Sequence, residues 1–160
     1  YYKMIKIKKI IIFIFISTFL LYSYGFKSVY SVKNTNFSFS EIKTNDQNVS
    51  INLKNNLSNY YSSDVDKIDY KITLNLSKSR TVKSKNKKDE ALVYSIIING
   101  DILIYRNEDL LSTIIVNEFF DYQNTSNKFD LSEYEKNIER NLILNIANDL
   151  IIKIIGLQND

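Results

Sequence analysis

The densest carboxylate cluster in the sequence is Asp64, Asp66 and Asp69. Closely spaced acids are what a calcium-binding loop uses, but the glycine that turns such a loop is missing here. Asn75 also stands where a bidentate glutamate would be needed. The cluster therefore reads as a solvated loop. Glu133, Glu135 and Glu139 fall in the first turns of a helical stretch, where acids complement the helix dipole. The chain has no histidine and no cysteine, which removes the commonest general base, the commonest metal ligand and all thiolate chemistry. A serine nucleophile would need a lysine or carboxylate base, and nothing arranges one. The three glycines form no phosphate-cradling loop. We expect a protein that is not an enzyme and uses no metal or cofactor.

One charged group is worth weighing for binding. Lys78, Arg80, Lys83, Lys85, Lys87 and Lys88 gather around a turn, with Asp89 and Glu90 only at its far end. Such a turn can be a solvated hairpin tip whose charges discourage edge pairing. It can equally bind anions, either phosphorylated lipid head groups or an acidic partner surface. The overall charge of +3 does not extend this basic character to the whole chain. Of 21 basic residues, four (Lys3, Lys6, Lys8, Lys9) sit at the N-terminus, leaving 17 against 18 acids. That balance lacks the basic footprint of a nucleic-acid-binding domain, so no nucleic-acid partner is expected.

From Met4, the expected start, Lys6, Lys8 and Lys9 lead into an apolar run, Ile10 to Tyr22. A basic head with a short apolar body fits a secretory signal better than a spanning helix, which needs about 20 residues. Residues 1–25 are thus expected to be a signal peptide, or an uncleaved inner-membrane anchor. Residues 26–160 are expected to form one periplasmic domain, long enough to bury its own core.

Periodicity supplies the elements that hold the charged groups. Phe37 and Phe39 alternate with serines up to Ile42, a first strand. Asn45, Asp46 and Asn48 turn the chain into an amphipathic helix carrying Val49, Leu53 and Leu57 and ending near Tyr61. Tyr70, Ile72, Leu74 and Leu76 alternate with polar residues in a second strand, which runs through Ser79 and Arg80 into the basic turn. Ala91 to Tyr105 reads as a long third strand, with Asn99-Gly100 as a bulge inside it. Asn107 to Asp109 turns it into a fourth, Leu110 to Tyr122. Phe129 to Leu157 then carries Ile138, Leu142, Ile146, Leu150 and Ile154 four apart, one stripe along a closing helix. Asp130 and Glu133 have the form of a capping box, Phe129 and Tyr134 of a hydrophobic staple, and Gly156 of a stop. The expected fold is α+β, two helices on one face of a four-stranded, mostly antiparallel sheet. Ile97, Ile102, Ile104, Ile114 and Val116 are more apolar than one covered face requires. They read as an apolar outer face, either a plain surplus of β-branched residues or a surface whose excess a partner wall covers.

Together these pieces resemble the lipopolysaccharide-assembly lipoprotein family LptE in its alphaproteobacterial form. The carriers are the short apolar leader ending in Gly25-Phe26-Lys27 with Val29 and Tyr30, the strand Tyr70-x-Ile72-x-Leu74-x-Leu76 running into Ser79-Arg80, and Ala91 opening the next strand. Phe119 to Tyr122 and the closing helix with Ala147-Asn148-Asp149 complete the likeness, which spans Gly25 to about Leu157. The resemblance implies an outer-membrane protein on the periplasmic side that plugs the barrel LptD and assists lipopolysaccharide assembly. It also implies a lipidated cysteine before Gly-Phe, where this chain has Tyr24, and a proline where it has Ser28. Without the cysteine no acyl anchor forms. A rival expectation is a signal-anchored periplasmic carrier or chaperone that holds an amphiphilic lipid between helix and sheet.

Overall fold

The structure, a computed structural model, describes residues 35–62 and 66–158. The leader, Tyr24 and its Gly-Phe-Lys neighbours, and Asp64 of the carboxylate cluster lie outside the described residues. The order is β1 (Phe37–Thr44), α1 (Asn48–Asn56), β2 (Ile68–Lys85), β3 (Ala91–Arg106), β4 (Asp109–Gln123) and α2 (Lys128–Gly156). The strands form one sheet in the order β1-β2-β3-β4. β1 runs parallel to β2 across the α1 connection, and the other two pairs are antiparallel. This is the expected α+β fold.

Strand alternation decides the core. Tyr70, Ile72, Leu74 and Leu76 of β2 point under the helices with Ile96, Ile98, Ile102 and Ile104 of β3, all buried. On β1 the register slips between Phe39 and Glu41. That slip sets Ser40 aside and lets Phe39 and Ile42, three apart, share the buried face. Phe37 stacks on Tyr60 at 5.5 Å between ring centroids and meets Tyr70 edge-on. Past the end of β1, side chains replace the missing strand. The Ser50 hydroxyl accepts from Leu76 N at 3.1 Å, and Asn45 Nδ2 donates to Leu76 O at 3.0 Å.

The closing helix buries its whole expected ladder. Ile143, Ala147 and Ile151 add a second row beside it, and Leu131 closes its start. Burying each Ile or Leu of the ladder contributes about 1.5–3 kcal/mol before entropy is counted. Its beginning differs from the sequence reading. Asn127, not Asp130, is the N-cap, and its side chain accepts from Phe129 N and Asp130 N. Asn127 Nδ2 in turn donates to Asp130 Oδ2 at 2.6 Å, so the cap lies three residues earlier than expected and the expected box does not form. The staple does not form, because Phe129 is 74% exposed and Tyr134 instead meets Tyr122 edge-on at 6.1 Å. The first helix gives way after Asn56 to a 3-10 turn at Ser58–Tyr60.

A second difference has wider effects. Asn99-Gly100 is not a bulge, since the ladder runs unbroken through Asn99↔Ser77 and Gly100↔Leu76. Without a bulge, Ile97 and Ile102 must lie on opposite faces. Of the five residues expected outside, only Ile97 is there. Ile102, Ile104 and Val116 are buried in the core, and Ile114 packs against it. Glycine is required at position 100 for another reason. Its φ is +144°, and a Cβ there would lie 2.0 Å from the Asn75 carbonyl oxygen.

The turn expected over Asn107 to Asp109 is a two-residue hairpin, Asn107–Glu108, with both φ values positive at 50° and 70°, and Asp109 already belongs to β4. Glu108 occupies the position glycine favours and pairs with Lys71.

Gly100→Ala is therefore expected to lower the unfolding free energy by about 2–4 kcal/mol, read as a drop in urea midpoint. Asn127→Ala should lose about 1 kcal/mol from the lost cap.

Candidate functional site

The structure divides the six basic residues of the candidate anion site among three places. Lys78 and Arg80 are not at the turn. By the parity that buries Leu76, both point toward α2. Lys78 Nζ meets Glu139 Oε2 at 2.5 Å, and Arg80 Nε meets Glu135 Oε1 at 3.0 Å. Lys83 lies on the opposite face, 3.4 Å from Asp121 Oδ2, with its ammonium 5.5 Å from the centre of the Phe119 ring. Lys85 pairs with Asp89 at 2.9 Å inside the hairpin loop. Lys87 and Lys88 sit exposed at the tip, without an ion pair among the described residues. The tip itself is organised by Asn86, whose Oδ1 accepts from the backbone N–H groups of Lys88 and Glu90.

Arg80 is the centre of a built cluster. Its guanidinium carbon stands 3.7 Å from the centre of the Tyr94 ring, and its Nε donates to the Tyr122 hydroxyl at 3.0 Å. That hydroxyl donates in turn to Glu135 Oε1 at 2.6 Å. Glu135 and Glu139 thus do more than complement the dipole of α2: they tie its first half to β2. Burial, and then the bond to the Glu135 carboxylate, push the Tyr122 phenol up to about 12, with Arg80 pulling the other way. The cluster stacks a cation between aromatic and carboxylate partners, which fixes a helix on a sheet. Among the described residues no group of three or more acidic side chains converges as a metal site would need.

The surface that sequence reasoning misplaced lies on the other side of the sheet. There Ile97 of β3 stands opposite Phe119 of β4, and Leu103 lies further along β3. Ile115 is 76% and Phe119 58% exposed, and Leu110 and Leu111 are exposed beyond them. Among the described residues no helix covers this face. The signal was present in β4, where Ile115 and Phe119 share parity with Asn117 and Asp121. The bulge assumed at Gly100 hid it in β3.

Between α1 and α2 a groove of about 410 Å³ is lined by Asn52, Asn55, Asn56, Lys136, Glu139, Arg140 and Ile143. A second, of about 330 Å³, runs between β2 and the first half of α2, past Lys78 and Arg80. Both are open grooves rimmed by amide and charged side chains, although apolar atoms make up more of each lining than polar ones.

The Tyr122 phenol gives a pH test. The folded state keeps it protonated more strongly than the unfolded chain does. It therefore adds stability below its ordinary value of 10.0 and loses that contribution as pH rises toward about 12. Tyr122→Phe should shrink the fall in urea midpoint across that window. Lys87→Glu combined with Lys88→Glu should leave the neutral-pH midpoint within about 0.5 kcal/mol of the parent, whereas Arg80→Glu should lower it measurably.

No protein-family model matches the sequence, and a search of the curated proteins finds no match. Solved structures do share the fold. Rare lipoprotein B from Shewanella oneidensis aligns with a TM-score of 0.59 at 10% identity, covering 76% of this chain and 96% of that one. A minor lipoprotein from Acinetobacter baumannii aligns with a TM-score of 0.56 at 15% identity, covering 78% and 94%. A putative lipoprotein from Caulobacter crescentus aligns with a TM-score of 0.56 at 10% identity, covering 79% and 94%. The chain has the fold of these bacterial lipoprotein structures over nearly their whole length.

Proposed function

We propose that this chain is a non-enzymatic accessory of lipopolysaccharide assembly, seated on the periplasmic side of the outer membrane inside or beneath the barrel LptD. One observation carries the reading: the core under the helices is packed with side chains and leaves only open grooves at its margins, while the other side of the sheet presents exposed apolar residues. Leu142, Ile146, Leu150 and Ile154 of α2 join the side chains of β2 and β3 in a single buried core. A carrier would need room there for an acyl chain. A plug needs an apolar surface left over for a wall, and Ile97, Ile115 and Phe119 supply it. The shared fold with bacterial lipoprotein structures and the basic-apolar leader support an envelope role. The resemblance to LptE supports the particular one. With Tyr24 in place of the cysteine, retention rests on the barrel itself or on an uncleaved leader.

Phosphate contact, in this reading, belongs to Lys87 and Lys88 and not to Arg80, whose charge is already committed to Glu135. Co-expression of the full chain with the tagged barrel from the same genome tests the proposal. A stoichiometric complex surviving detergent purification is the expected result. Reversal of Lys87 and Lys88 to Glu should leave that complex intact and weaken lipopolysaccharide binding to it. A chain that passes through folded and alone would refute the plug and return the amphiphile carrier to consideration.

A further inference from the structure

Among the described residues, the sheet order leaves β4 at an edge, with no strand on the outer side of Asp109–Gln123. Edges of this length are normally blunted by lysine, proline or a bulge that twists them away. β4 contains no lysine, arginine or proline. Its one register shift against β3 lies near its start, opposite Ile104 and Tyr105. Ile115, Phe119 and Phe120 are exposed along it. Its charges are three carboxylates, Asp109, Glu118 and Asp121, so a strand that pairs with this edge must keep like charges apart.

We propose that it pairs with the same edge of a second copy, antiparallel, about a two-fold axis at Asn117. Alternate residues of a strand direct their backbone groups to the open edge, so a symmetric pair must be centred on one residue facing itself. Centring on Glu118 opposes two glutamates, and centring on Ile115 sets Asp109 against the partner's Asp121. Like charges directly opposite destabilise a pair. Centring on Val116 avoids this but leaves Ile115 and Phe119 opposite Asn117 and Thr113. Centring on Asn117 sets Ile115 against the partner's Phe119 on the uncovered face. It also sets Ile114 against the partner's Phe120 on the helix face, and Thr113 against the partner's Asp121. Ile114, Ile115, Phe119 and Phe120 then each have an apolar cross-strand neighbour, and the buried Val116 faces the partner's Glu118. Both helix layers fall on one side of the doubled sheet and both uncovered faces on the other.

The chain contains no cysteine, so single cysteines report the register. In detergent, the full chain should have a protein mass twice its 18.8 kDa by light scattering. Ile115→Lys should halve that mass without loss of fold, since the side chain is 76% exposed. Asn117→Cys should form a disulfide-linked dimer on mild oxidation, because the paired residues lie within the roughly 7 Å that a disulfide spans. Thr113→Cys alone should not, its counterpart being about 27 Å away along the strand. Thr113→Cys co-expressed with Asp121→Cys should link. A chain monomeric at all concentrations, linking in another register, or linking only to a different protein would overturn the proposal. These outcomes do not depend on whether the barrel is the functional partner.

Discussion

The structure depends on the unbroken ladder between β2 and β3 where Leu76 meets Gly100. Two long strands stay in register there because residue 100 has no Cβ and takes a φ that other residues avoid. With no bulge, the face of every side chain on both strands is fixed from one end to the other. Leu74 and Leu76 go under the helices, and Lys78 and Arg80 must follow them. The charged residues then meet Glu139 and Glu135 instead of solvent, and α2 is tied at the end where the apolar ladder is thinnest. The same parity turns Ile97 and Leu103 outward. One backbone contact thereby decides both how the helix is held and which surface is left for partners.

This division also sets the relative importance of the forces. The apolar rows of α2 supply most of the attraction between helix and sheet. The Arg80 cluster adds direction: a planar cation stacked on Tyr94 and bonded toward Tyr122 and Glu135 permits few alternative placements of the helix. Its side chains are partly exposed, so its contribution to stability is modest beside burial.

Much of this was legible in the sequence. The strand Tyr70 to Leu76 and the four-residue ladder of α2 each carry a clean period, and period alone named their faces. The start of α2 was misread because Asp130 and Glu133 also satisfy a cap pattern. Asn127 wins because its side-chain oxygen accepts from the backbone N–H groups of Phe129 and Asp130. The outer face was misread for a different reason. Asn99-Gly100 signals an irregularity, and sequence cannot say whether glycine is needed for a bulge or for the close approach of a neighbouring strand. The basic residues looked like one site because they are adjacent in sequence. Alternation sends Lys78 and Arg80 to one face and Lys83 to the other, and only the pairing register reveals it.

The account stands on the claim that the uncovered face of the sheet, and not the helix side, is where this chain meets its partner. Ile97 and Leu103 lie on that face in β3, away from the β4 edge, while Leu144 and Ile152 are exposed on α2. A photoreactive amino acid placed at each of these four positions in turn, in living cells, compares the two sides directly. The account predicts adducts with an outer-membrane barrel from Ile97 and Leu103 and none from Leu144 and Ile152. Adducts arising only from the helix positions would contradict it.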